Sequence, residues 1–130
     1  MKGNSNIDFG KLKFKRNGVL ASGILGVTGW SMVQVARMGA GGITCKSISK
    51  TERPGHKTPV IQQYGSGLIN AVGLSSTGCS NSNRELEILR KNSDALVIAS
   101  VFGSTANEFA ETIGLLDEKN IDAFELNISC

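Results

Sequence analysis

Apolar and charged side chains alternate along residues 7–16, "IDFGKLKFKR". A period of two predicts a short antiparallel strand or hairpin. The apolar run "GVLAS" at 18–22 reads as a buried strand, and the glycine-rich "GILGVTGW" follows it as a loop. Residues 31–38 have a helical pattern, with Thr28 or Ser31 placed to cap it. Glycines then stop the helix, and a second strand is expected over 42–46. Residues 47–68 contain both prolines, Pro54 and Pro59, and read as one long loop. A loop of that length in a compact domain points to function or disorder. "LINAVGL", 68–74, is apolar around one asparagine; after it come a polar linker, "SSTGCSNSN", and a short helix at 84–91. "ALVIASVFG" is a clear buried strand. In "STANEFAETIGLLDEKN", Ser104 or Thr105 is the cap and Glu108 sits near the capping-box position. Phe109, Ile113 and Leu116 form the buried stripe of that helix. "IDAFELNIS" is the last strand.

The resulting order is β-α-β-α-β-α-β after a small N-terminal β element, an α/β chain. Strands apolar on both faces belong in a parallel sheet covered by helices. Two architectures fit: an open doubly wound sheet, or part of a (β/α)8 barrel.

Composition narrows the function. The chain has 130 residues, enough for one small domain, and 40% are apolar. A net charge of only +3 and an aromatic content of 5% argue against a nucleic-acid surface. The basic stretch Lys11, Lys13, Lys15 and Arg16 reads as the solvent side of a strand. The sequence has no apolar run of membrane-spanning length and no signal-peptide pattern, so a cytoplasmic location is expected. The three cysteines, Cys45, Cys79 and Cys130, lack CxxC spacing, and the single histidine, His56, lies beside Pro54 and Gly55. Neither a disulfide framework nor a metal site is expected. Cys45 and Cys79 read as small buried hydrophobes.

The sixteen glycines raise a dinucleotide-binding reading, because Gly23, Gly26 and Gly29 lie between a strand and a helix. Their spacing is GxxGxxG rather than GxGxxG, and the next strand ends in Lys46-Ser47 where that fingerprint needs an acid. No GKS or GKT follows either glycine cluster, so a P-loop is also excluded.

Polar residues at the strand ends carry more weight. The strands end in Ala21-Ser22-Gly23, in Lys46-Ser47, near Ser100, and in Asn127-Ser129-Cys130. In a parallel α/β fold these ends share one side, which in a barrel is the active-site face. Asn70 and Asn127 each sit in apolar context, where an amide needs a backbone or ligand partner. A lysine, two asparagines and serines suit a phosphate-bearing cofactor and a flat, polar, anionic substrate. A cysteine thiolate suits a general base.

In this order, "VLASGILGVTG", "CKSISKTERPGHKTP", "GLINAVGL", "VIASVFGST" and "FELNISC" resemble the dihydroorotate dehydrogenases, FMN-dependent (β/α)8 TIM-barrel enzymes of pyrimidine biosynthesis. The resemblance runs from about Leu12 to Cys130 and is nearest to the B type of class 1. It implies the N-terminal half of such a barrel. It implies FMN contacts at Ser22, Lys46, Ser47, Ser100 and Asn127. It places substrate contacts at Lys46, Asn70, Ala71, Val72, Gly73, Leu74 and Asn127, and makes Cys130 the catalytic base. Cys130 would take the C5 proton of dihydroorotate while hydride leaves C6 for the flavin, giving orotate. An iron–sulfur FAD subunit that passes electrons to NAD, and a homo-oligomer at full length, are further implications.

Departures from the family pattern are Arg16-Asn17-Gly18 where "KNP" is common, and Ser75-Ser76-Thr77-Gly78 where "PNPG" is common. The pyrimidine-reducing dehydrogenases share the barrel and the "NxSC" segment and are the nearest enzymatic alternative. The family also continues into a loop over the substrate, a later lysine and FMN-phosphate loops. The expectation is therefore a fragment cut at the catalytic loop and inactive by itself; a non-catalytic, self-associating half-barrel is the other reading.

Overall fold

The computed structural model describes residues 7–129. Strands β1 (Ile7–Phe9) and β2 (Leu12–Phe14) form the expected antiparallel hairpin, with Ile7 opposite Phe14. Only Phe14 of this hairpin is buried. Lys15 and Arg16, just beyond it, bond Asp94 at 3.2 and 2.7 Å, which pins the hairpin to the main sheet.

Four parallel strands make that sheet: β3 (Gly18–Leu20), β4 (Ala40–Thr44), β7 (Leu96–Val101) and β8 (Ala123–Leu126). Their order in space is their order in the chain, β3-β4-β7-β8. A doubly wound sheet reverses order at a switch point. A sequential order, joined by crossovers of one hand, puts every helix on the same face, which is barrel winding. The chain is half of such a barrel. Within the described residues, β3 and β8 each pair along one edge only.

Helices α1 (Gly29–Arg37), α2 (Gly78–Asn92) and α3 (Ala106–Gly114) cover that face. Thr28 caps α1, accepting from Ser31 N, and Thr105 caps α3, accepting from Glu108 N. Ser104 N donates to the Glu108 carboxylate, so the box closes one residue before the cap. The core joins Met32, Val33 and Ala36 of α1 to Ile43 and Cys45, Leu86 and Leu89 of α2, and Val97, Ala99 and Val101 of β7. Each fully buried large aliphatic side chain contributes about 1.5–3 kcal/mol. Gly29 lets the first two helices meet closely, since a Cβ there would lie 2.6 Å from Ile88 Cβ.

Several boundaries differ from the sequence reading. β4 begins at Ala40, not at 42, because Gly39 with φ of 110° completes the helix stop by itself. Lys46 and Ser47 therefore lie just past the strand. The supposed linker "SSTGCSNSN" largely belongs to α2, which starts at Gly78 rather than at 84. α3 ends at Gly114, and residues 118–120 form a separate 3-10 turn. Residues 24–26, expected as loop, form another. The loop expected over 47–68 contains most of an antiparallel hairpin, β5 (Ile61–Tyr64) with β6 (Gly67–Asn70), turned by Gly65-Ser66. Every residue of both strands is exposed.

Candidate functional site at the carboxyl ends of the strands

The main chain brings the strand ends together before any side chain acts. Beyond β4, Ile48 N donates to Ser100 O at 2.8 Å and Phe102 N donates to Ile48 O at 3.0 Å. This parallel bridge prolongs the sheet past Thr44 and sets Ser47 beside Ser100. On the other side of β4, Lys46 N donates to Gly26 O at 2.8 Å, tying the 3-10 turn after β3 to the same point. Asn127 N donates to Val101 O at 2.9 Å and extends β8 alongside β7. The ends of β3 and β7 are thus fixed directly to the end of β4 by backbone bonds, and that of β8 through β7.

The side chains then converge on one atom. Ser47 Oγ lies 3.3 Å from Ser22 Oγ and 3.0 Å from Ser100 Oγ, and accepts from Asn127 Nδ2 at 3.1 Å. Each of the four strand ends supplies one member of this cluster. Ser100 is fully enclosed and Ser47 is 4% exposed, whereas Ser22 and Asn127 are half-buried. Asn127 Oδ1 accepts from Ser129 N at 3.3 Å and from Ser129 Oγ at 3.2 Å, so both ends of the amide are oriented. Lys46 is half-buried beside the cluster. Among the described residues its ammonium has no ion-pair partner.

Asn70 and the residues after it stand apart. Asn70 ends β6 and is exposed, so its amide is solvated and does not need the buried partner expected for it. Ala71 is exposed, and Val72, Gly73 and Leu74 are half-buried on the way back to the body. Ala71 N bonds Val60 O and Val72 O accepts from His56 N, which fixes this return against the 53–60 segment. None of these residues bonds the Ser47 cluster. Cys130 lies outside the described residues.

The two described cysteines are poor candidates for the base. Burial pushes the Cys45 thiol up to about 11. Burial also raises Cys79, whose Sγ donates to Ser49 O and Thr112 O. Both are small buried groups, as expected.

Two features escaped the sequence reading. Arg53 pairs with Ser76 through two main-chain bonds of 2.8 and 2.9 Å and stacks over Phe102 at 5.3 Å, fastening the long excursion after β4 to the sheet. A cavity of about 230 Å³ lies behind the cluster, bounded by Lys46 and Ser47, by Met32 of α1 and by Leu86 of α2. Gly26, Glu52, Arg53 and the Ser75-Ser76-Thr77 segment complete its walls, so it lies between the helices and the loops that follow the strand ends.

Residues 6–130 match the family model described as dihydroorotate dehydrogenase. The chain belongs to the dihydroorotate dehydrogenase family. Its similarity to individual members is high along nearly its whole length. It is 48% identical over 121 residues to the dihydroorotate dehydrogenase B (NAD(+)) catalytic subunit of Methanosarcina mazei, covering 92% of this chain and 38% of that protein. The same-named subunit of Thermoplasma volcanium is 44% identical over 112 residues, 86% of this chain and 37% of the relative. That of Methanocaldococcus jannaschii is 40% identical over 122 residues, covering 92% and 40%. The chain therefore spans about two fifths of the length of these relatives. The family's TIM barrel accounts for the sequential sheet, and the Ser47 cluster lies at the carboxyl end of its strands, where barrel active sites are built.

Proposed function

We propose that this chain contributes the first four strands of an FMN-dependent dihydroorotate dehydrogenase, oxidising dihydroorotate to orotate in pyrimidine biosynthesis in the cytoplasm. One observation carries the reading: four strand ends meet at the Ser47 hydroxyl, and beside it stands Lys46, which has no ion-pair partner among the described residues. This donor set fits the flavin. Hydroxyl and amide donors suit its carbonyl-rich ring, and a half-buried lysine suits a ligand that is anionic or carries a carboxylate.

In this reading Ser22, Lys46, Ser47 and Asn127 hold FMN, and Ser100 supports them from beneath. Bound FMN supplies the hydride acceptor. Lys46 and Asn127 also face the pyrimidine carboxylate and ring, and preorganised positions lower the barrier by orientation and electrostatics. Asn70 and residues 71–74 close over the substrate from the hairpin side. Cys130 takes the C5 proton. The relatives' description as catalytic subunits supports a partner subunit; in this reading it is an iron–sulfur FAD subunit that carries electrons onward, and the whole barrel forms a homo-oligomer.

The test uses the chain completed to the length of its relatives. The purified protein is expected to carry FMN, and anaerobic dihydroorotate is expected to bleach its visible absorption. Absence of flavin, or a flavin that dihydroorotate does not reduce, rejects the reading. The Cys130→Ser protein should keep FMN and be reduced roughly 10²-fold more slowly at neutral pH. An unchanged reduction rate removes Cys130 from the base role.

A further inference from the structure

Ser47 Oγ has three polar neighbours and only one proton to give. A hydroxyl carries one donor and two acceptor sites. Asn127 Nδ2 can only donate, so it occupies one acceptor site of Ser47. The two remaining contacts, to Ser22 and Ser100, must then run in opposite senses: one serine donates to Ser47, and Ser47 donates to the other.

Burial decides the sense. Ser100 is fully enclosed, and Ser47 is the one partner its hydroxyl has among the described residues. If Ser100 accepted from Ser47, its own proton would be stranded in the interior without an acceptor, which costs the desolvation of that donor. If Ser100 donates, only acceptor capacity goes unused. The chain of protons then runs from Ser100 to Ser47 and from Ser47 to Ser22. Ser22 is half-buried at the mouth, and its proton is left to point outward.

We propose that Ser100 is a positioning residue that acts on the bound cofactor through Ser47 and makes Ser22 an obligatory donor, so that the cofactor atom over Ser22 is a hydrogen-bond acceptor. This rests on the FMN reading above. It separates Ser100 from the contact residues: its hydroxyl sets the direction of a relay and touches no ligand. No bond is made or broken, and only the orientation of three hydroxyls is fixed.

A double-mutant cycle on the completed, FMN-binding protein tests it. FMN dissociation constants are measured by flavin fluorescence for the parent, Ser100→Ala, Ser47→Ala and the double variant, with thermal unfolding alongside. Ser100→Ala is expected to weaken FMN about fivefold in the parent. In the Ser47→Ala background the same change is expected to alter affinity less than about twofold, because coupled residues are not additive. Equal effects in both backgrounds would mean that Ser100 reaches the flavin independently of Ser47, and would overturn the relay while leaving the FMN reading intact. No effect in the parent overturns it as well. A parent that binds no FMN overturns both. Should Ser100→Ala not fold, Ser100→Cys takes its place in the cycle. Failure of both to fold makes Ser100 a purely structural residue, and the proposal falls.

Discussion

Gly26 sits where the 3-10 turn after β3 touches the end of β4. A Cβ there would lie 2.7 Å from Lys46 N and 2.9 Å from Thr44 O, both backbone atoms that cannot swing aside. Alanine would force the turn off β4 and break the bond from Lys46 N to Gly26 O. Gly26→Ala is expected to destabilise the fold by about 1–3 kcal/mol, the range for overpacking a tight contact. It should also weaken FMN in the completed protein, because Lys46 moves with its own main chain. Chemical denaturation and flavin titration measure the two effects. At this scale the sequence told much about composition and little about aim. Polar groups directly after apolar runs marked Ser22, Lys46, Ser47, Ser100 and Asn127. Their convergence on Ser47 was not legible, because it depends on the Ile48–Ser100 and Asn127–Val101 backbone bonds, which follow from strand register. Asn70 misled for the opposite reason: its apolar neighbours lie on an exposed hairpin rather than in a core.

Elements differ sharply in what they contribute. Leu89 of α2 is wholly enclosed between that helix and the sheet, and Leu89→Ala is expected to cost about 2–5 kcal/mol of unfolding free energy. Leu68 on β6 is 75% exposed, and Leu68→Ser should change stability by no more than about 0.5 kcal/mol. Denaturant midpoints of the two variants distinguish a core helix from a projecting arm. The contact from Lys15 and Arg16 to Asp94 ties the first hairpin to the start of β7. Hydrogen bonds from Arg16 and then Lys15 hold the Asp94 carboxyl below its ordinary value of 3.8. A depressed acid stabilises the fold above its unfolded value, and that contribution is lost as pH falls through the folded one. The pair is half-exposed and screened, so Asp94→Asn is expected to cost only roughly half a kcal/mol near neutrality. As pH falls through that lowered value, the parent and variant should come to unfold together. The start of α2 was hidden for a physical reason. Its buried face runs Cys79, Ser82, Leu86, Leu89, a proper helical spacing, but the first two inward residues are small or polar and read as a linker. The β5–β6 hairpin was missed although Gly65-Ser66 lies between two strand-like tetrapeptides, because the two prolines before it and the polar residues around it made the whole stretch read as loop.

The whole molecule is a sheet with one covered face and open sides. Helices cover one face, and β3 and β8 each carry one row of main-chain groups without a strand beside them among the described residues. Val19 and Leu126 are exposed on those strands. Unpaired edges of this kind recruit further strands. The 130-residue chain by itself is expected to associate with increasing concentration, and sedimentation velocity across a hundredfold dilution checks this. A single monomeric species at all concentrations would show that the edges are protected. The fold class was readable because four apolar runs separated by helical stretches permit few arrangements. The choice of barrel over doubly wound sheet was not readable from periodicity, since both use the same elements and differ only in spatial order.

That spatial order has a consequence for how the protein is made. Each strand of the sheet docks on the one synthesised just before it, so no pairing waits for a distant segment until the sheet must close. Contacts between near neighbours in sequence form quickly. At about 5–20 residues per second, the ribosome finishes each β-α unit seconds after the last. The sheet can grow in the direction of translation, with α1 and α2 already packed when β8 emerges. The exception is the outer edge of β3: in a barrel it is the first edge formed and the last to be paired, and it must stay unclaimed by other nascent chains throughout.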